Sequence, residues 1–172
     1  MGYIGEDHYQ VGVTDANYAL KVSGFKPKRA VVGNHHPGAA HIEARCRGAI
    51  DTFKAAGVPC EMLDVTDDPV KGVEILMAYV KSKPDTDFVI PAFSSPHTDA
   101  WVTAAIDEGI VGKYFIATCD LSDKILEYME KGYIKCTVEQ QGYLQGYMSV
   151  HFMTLYLQGK FSTFLMTPKI WP

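Results

Sequence analysis

Residues Tyr114–Gln140, YFIATCDLSDKILEYMEKGYIKCTVEQ, decide the fold class. Tyr114 to Thr118 is a short β-prone run. Asp120 follows at once, and then Leu121, Ile125, Tyr128 and Met129 recur at helical spacing, which predicts an amphipathic helix. Gly132 stands where a left-handed residue ends such a helix, and Ile134 to Val138 is a second β-branched run. Strand, helix and strand in this order form a βαβ crossover, which requires a parallel sheet. Polar residues at the carboxyl ends of such strands face the ligand crevice, and Asp120 and Gln140 occupy two of those ends.

Outward from this stretch the same alternation repeats. Tyr3 to Asp7 reads as an entering extended segment, and Tyr9, Val13, Ala16 and Leu20 mark a helix closed by Gly24. Lys28–Gly33 is a strand, followed by the loop Asn34, His35, His36, Pro37 and Gly38. The next helix turns Ile42, Cys46, Ala49 and Phe53 inward. Cys60–Val65 is a strand with Thr66, Asp67 and Asp68 at its end, and Val70, Val73, Met77 and Val80 mark a third helix. Asp87–Ala92 is the central apolar strand, with Phe93 to Pro96 as its exit loop, and the helix after it carries Val102, Ala105 and Ile106 inward. Five strands alternating with helices predict a three-layer α/β sandwich with a mainly parallel, doubly wound sheet.

Two parts do not suit a self-sufficient sandwich. Residues 141–158 read as a helix with two apolar stripes, Leu144, Tyr147, Met148, Phe152 and Leu155 on one and Tyr143, Val150, Met153 and Leu157 on the other, so it needs two partners. The tail FSTFLMTPKIWP is β-prone and carries only Lys160 just before it and Lys169 within it as charges, which marks it as an interface.

Composition excludes several classes. A chain of 172 residues with 47% hydrophobic and 21% charged residues has enough apolar material for its own core. The net charge of −4 has no basic run behind it, which argues against nucleic acid as a partner. No apolar stretch reaches the roughly 18 residues of a membrane span. The amino terminus, MGYIGEDHYQ, lacks the charged and apolar regions of a signal peptide, which taken alone points to the cytoplasm. Cys46, Cys60, Cys119 and Cys136 are scattered without a CxxC pair and read as small core residues. His35, His36 and His41 near Cys46 lack metal-ligand spacing, and no metal or cofactor is expected. Ser94 or Ser95 with nearby His97 lacks a nucleophile elbow, and G-x-G-x-x-G and P-loop patterns are absent, so no catalysis is expected. A response-regulator reading fails because Glu6 and Asp7 precede a helix instead of ending a strand.

The order of segments YIGEDHYQVG, RCRGAIDTF, VIPAFSSPHTDAW, IATCDLSDKILEYMEKG and TVEQQGYLQGYMSVHFMTLYLQGK resembles the second half of a type I periplasmic sugar-binding protein, a fold shared with the sensor domains of lactose-repressor-like regulators. The resemblance covers most of residues 3–160. It implies a flavodoxin-like strand order and one of two lobes that close on a small ligand, with residues 1–140 as the second lobe and its first hinge segment. Residues 141–172 would then be the helix and tail associated with a missing first lobe and the third hinge. Crossings between lobes are expected at Ile4–Asp7, at Glu139 and Gln140, and at Met166–Lys169.

By the same resemblance Arg45, in an R-x-x-G pattern with Gly48, holds sugar hydroxyls, with Arg47 a close second. Asp120 accepts from hydroxyls, its rival role being the cap of the following helix, which Ser122 can equally provide. Gln140 is the hinge glutamine, whose amide offers a donor and an acceptor. Where the family has an Asn-Asp pair this chain has Ser94 and Ser95, and where some ribose binders place an aromatic ring it has Asp67 or Asp68, with His36 and His35 near by. These departures widen the ligand class to a polyol, an amino sugar or a non-sugar.

The implied function is solute binding for an ABC-type sugar or small-polar-ligand uptake system, without chemistry. The parent would be periplasmic or extracytoplasmic and would deliver its ligand to a membrane permease. Half a pocket implies weak or no binding by the monomer, and the bare helix and tail imply a homodimer or domain-swapped assembly. The alternative is the effector-sensing domain of a lactose-repressor-like transcription regulator.

Overall fold

The computed structural model describes residues 3–160. The chain divides into a body, Asp7–Glu139, and a smaller unit formed by the segments before and after it.

The body alternates strictly. Helix α1 (His8–Asn17) runs into a π-helical turn (Tyr18–Val22), and then come β1 (Ala30–Asn34), α2 (Ala40–Ala55), β2 (Cys60–Asp64), α3 (Pro69–Ser82), β3 (Phe88–Ile90), α4 (Ser95–Asp107), β4 (Phe115–Cys119), α5 (Asp123–Glu130) and β5 (Cys136–Val138). The strands form one sheet in the order β2-β1-β3-β4-β5, and every pairing is parallel. This is the flavodoxin-like order, whose direction reverses between β1 and β3.

Strand alternation sorts the core into two layers. Ala30, Val32, Phe88, Ile90 and Ala117 pack with Val11, Ala16, Ile42, Cys46, Ala49 and Phe53 of α1 and α2. Val31, Val89 and Ile116 pack with Leu76, Val80, Trp101, Val102 and Ile125 of α3, α4 and α5. Phe88 centres the first layer, its ring 4.8 Å from Phe53 and 5.2 Å from Phe115.

The predicted strands are displaced by one or two residues for identifiable reasons. The backbone amide of Lys28 donates to both Asp87 carboxylate oxygens, at 2.9 and 3.0 Å, so β1 starts only at Ala30. Pro91 has no N–H for the ladder, and β3 stops at Ile90. The inward face of α1 differs more. Its buried residues are Val11, Gly12, Asp15 and Ala16, whereas Tyr9 is exposed and Val13 only half-buried. The cause is a close helix crossing: a Cβ on Gly12 would meet the Arg45 carbonyl, and one on Gly48 would meet the Tyr9 carbonyl. Backbone approach, which no apolar periodicity reports, chooses the face. Val70 and Ile106, expected inside, lie at helix ends, and Leu121 lies in the loop before the N-cap of α5; all three are exposed.

In the smaller unit, Gln141 in the left-handed conformation (φ 58°) opens α6 (Gly142–Leu157). No residue of α6 is buried, although the helix carries no Lys, Arg, Asp or Glu. Tyr143, Tyr147 and His151 stack along one side, with ring centroids 6.4 and 6.0 Å apart in succession. The tail of residues 161–172, with the third expected crossing, lies outside the described residues.

Candidate functional site

The carboxyl edge of the body's sheet brings several polar side chains together. At the end of β1 the Asn34 carboxamide oxygen accepts from the His36 backbone amide at 3.0 Å, which fixes the start of the loop. His36 Nδ1 lies 2.6 Å from Asp67 Oδ1, joining the loop after β1 to the loop after β2. Both side chains are more than half exposed, at 57% and 68%, so the pair is open to a ligand and contributes little to stability. His35 beside it is half-buried, and burial, reinforced by neighbouring His97, lowers its pKa to about 4, so it is neutral at physiological pH.

A second group forms where β3 leads into α4. Ser94 is the N-cap residue, but its hydroxyl makes no capping bond. The Ser94 Oγ lies instead 3.3 Å from His97 Nδ1, and His97 Nε2 lies 3.0 Å from the Thr66 carbonyl oxygen. Thr66 can present that carbonyl because its backbone is left-handed (φ 59°), a costly conformation for a β-branched residue. Asp64 Oδ1 accepts from the Thr66 amide and Thr66 Oγ1 from the Asp68 amide, which hold the turn. His97 is 6% exposed. Its ring fits because α3 has glycine at position 72, where a Cβ would stand 3.2 Å from His97 Cδ2. Ser95, the first residue of α4, has a buried hydroxyl with no hydrogen-bond partner among the described residues.

Asp120 ends β4 in the left-handed region (φ 80°), which aspartate tolerates better than most residues. Its amide donates to the Val138 carbonyl at 3.0 Å and its carbonyl accepts from Thr137 Oγ1 at 2.6 Å. Ser122 accepts from the Ile125 amide and is the N-cap of α5, so the Asp120 carboxylate does not cap that helix.

Arg45 is 4% exposed on α2. Its positive field reaches His35 at the sheet edge and also Asp15, where it opposes the effect of burial. Arg47, two residues on, is exposed, and its charge is felt at Tyr9, whose hydroxyl donates to Asp51 at 3.2 Å. Gly48 of the R-x-x-G pattern serves the α1–α2 crossing. Gln140 belongs to the smaller unit, where its carbonyl accepts from Gln145 Nε2 at 2.5 Å.

The sequence thus placed His36, Asp67, Ser94 and Asp120 at strand ends of one edge. It named His35 beside the pocket and His97 beside Ser94, but not the contacts of His97 with the Thr66 carbonyl and the His35 ring, which join parts of the chain more than thirty residues apart. It also missed Asp15, fully buried on α1, which accepts from the Cys136 thiol at 3.5 Å. Burial holds the Asp15 carboxyl well above the usual carboxylate range. The signal for Asp15 was available only after the glycine contacts had fixed the buried face. Among the described residues no group of three or more His, Cys, Asp or Glu side chains is arranged to hold a metal ion.

The sequence model of the periplasmic binding protein domain matches residues 1–161. The chain belongs to the periplasmic binding protein family. Solved structures agree on the fold. A periplasmic sugar-binding protein described as an ABC sugar transporter from Legionella pneumophila superposes with TM-score 0.82 at 24% identity, over 91% of this chain and 58% of that one. A carbohydrate transporter from Acidothermus cellulolyticus, solved with myo-inositol, gives TM-score 0.77 at 26% identity, over 94% of this chain and 54% of its own. An ABC transporter periplasmic solute-binding protein from Actinobacillus succinogenes with bound D-allose gives 0.82 at 18% identity, over 94% and 57%. This periplasmic binding protein chain therefore spans less than two thirds of those proteins. No curated protein matches it in sequence. Among the described residues no helix is long and apolar enough to cross a membrane.

Proposed function

We propose that this chain is the ligand-binding lobe of a solute-binding protein that takes up a sugar or other small polyhydroxylated molecule for an ABC-type permease outside the cytoplasm, without acting on it chemically. The observation that carries the reading is the concentration of exposed and half-exposed hydrogen-bonding groups at the carboxyl edge of a sheet in flavodoxin-like order, in a member of this family. Asp67 and Asp120 accept from ligand hydroxyls, Ser94, Ser95 and His36 add short polar contacts, and Arg45 supplies paired donors, with Arg47 the second choice. Gln140, the hinge glutamine by family resemblance, offers a further amide donor and acceptor. The neighbours solved with myo-inositol and D-allose support a polyol or neutral sugar as the ligand class.

One lobe supplies one wall of such a pocket. In a two-lobed protein the ligand favours closure through contacts made only in the closed state, and this chain alone lacks that contribution. Calorimetry with myo-inositol and D-allose is expected to give a dissociation constant of about 1 mM or weaker. A sub-millimolar constant on monomeric material would overturn the half-pocket reading. The apolar surface of α6 supports a second element of the proposal, that another polypeptide, a first lobe or a second copy of the chain, covers Leu144, Met148 and Phe152. Sedimentation of the isolated chain is expected to show self-association, and a clean monomer at tens of micromolar would rule out the second copy.

A further inference from the structure

We infer that His97 is a positioning residue that fixes the Ser94 hydroxyl as a hydrogen-bond acceptor toward the ligand, so that the subsite above β3 selects a donor group, a hydroxyl or an ammonium, and disfavours a carboxylate, ketone or ether oxygen. The inference rests on the solute-binding reading and names the chemistry of one of its contacts. A carbonyl oxygen only accepts, so the 3.0 Å contact between His97 Nε2 and the Thr66 carbonyl places a proton on Nε2. In the neutral imidazole Nδ1 then carries the lone pair and must accept. Its neighbour at 3.3 Å is the Ser94 hydroxyl, which therefore spends its one proton on the ring. What remains on Ser94 Oγ for a ligand is lone pairs.

The arrangement is held at every joint. The Ser94 carbonyl accepts from both the amide and the hydroxyl of Thr98, at 3.1 and 3.0 Å, which fixes the start of α4. Thr98 is tied to Thr118 of β4 at 2.7 Å. The His97 ring is confined by Gly72 on one side, and the His35 ring lies 5.2 Å away. The acceptor character matches the two carboxylates of the same edge, Asp67 and Asp120, and leaves Arg45 as the charged donor. Serine next to histidine also has the connectivity of a nucleophile and its base, but the family is one of binders, and the pair is assigned to recognition.

Two measurements on the full chain test this. Long-range proton–nitrogen spectra of the 15N-labelled protein, with His97 identified by its loss in His97→Asn, are expected to show a protonated Nε2 and an unprotonated Nδ1. Ser94→Ala should shift Nδ1 alone. An Nδ1–H tautomer, or no response to Ser94→Ala, overturns the assignment. Titration with myo-inositol then reads the subsite. Ser94→Ala and His97→Phe should each weaken binding roughly tenfold, whereas His97→Gln, whose amide can donate to Thr66 and accept from Ser94, should stay within about threefold. Unchanged affinity in His97→Phe overturns the positioning role while the binding reading stands. Absence of any myo-inositol response at this edge overturns the binding reading and the subsite selectivity together, and the tautomer spectrum still decides the Ser94–His97 geometry.

Discussion

The body and α6 are built from similarly apolar sequence, yet their apolar residues meet opposite fates. In the body, Phe88, Val32, Ile90 and Trp101 are completely or almost completely removed from solvent. In α6, Tyr143 is 88% exposed and Leu157 76%, and no residue is buried. A pattern of apolar residues states a demand for cover. Whether the demand is met depends on neighbours, and the body has its own on both faces of the sheet, because each crossover returns a helix to it. A helix apolar all round is ordinarily a buried one, and among the described residues nothing buries α6. This contrast supports the proposal that another polypeptide covers α6.

Substitutions should respond to the same contrast. Phe88→Ala, which removes a ring packed between Phe53 and Phe115, is expected to cost about 3–5 kcal/mol in chemical denaturation. Leu144→Ala in α6 should stay within about 0.5 kcal/mol when measured on monomeric chain, at concentrations below those of self-association. Equal losses at the two positions would mean that α6 is already covered. Next in size is Gly48→Ala. Alanine favours the helix, but its Cβ would meet the Tyr9 carbonyl, and a net loss of about 2 kcal/mol is expected. A gain in melting temperature would show that the α1–α2 crossing can relax.

Asp15→Asn tests the cost of a carboxyl buried on α1. Its folded pKa is raised, so the folded state favours the proton, and stability is greatest at low pH. It falls as pH rises from the ordinary carboxylate value toward the raised one, with a slope approaching about 1.4 kcal/mol per pH unit. The asparagine variant should lose this slope and be the more stable protein at neutral pH. A parallel pH dependence in the two proteins would contradict the assignment. The smallest effect is expected for His36→Ala, since its partner Asp67 is exposed: less than about 0.5 kcal/mol of stability. A larger loss would make this pair part of the framework instead of the open binding edge.

Much of the fold was legible in the sequence because it depends on local periodicity. The stretch Tyr114–Gln140 contains β4, α5 and β5 within two residues of their expected bounds, and Ser122 caps α5 as one of the two candidates. Strand ends were legible for the same reason, which located Ser94, Asp67 and Asp120 at one edge. The network at that edge was not, since it needs the left-handed backbone of Thr66 to turn a carbonyl toward His97, a contact 31 residues away in sequence. The buried face of α1 was misread because two glycines, through backbone approach, outweighed a weak apolar stripe.

The central claim, that the carboxyl edge of the body receives a polyhydroxylated ligand, is tested most directly by amide chemical-shift mapping of the 15N-labelled chain during titration with myo-inositol and D-allose. Saturable shifts in the millimolar range are expected at residues 34–36, 66–67, 94–98 and 120, with the remote amides of α3 and α5 unchanged. Saturable shifts confined to other surfaces, or none at this edge with either compound, would contradict it.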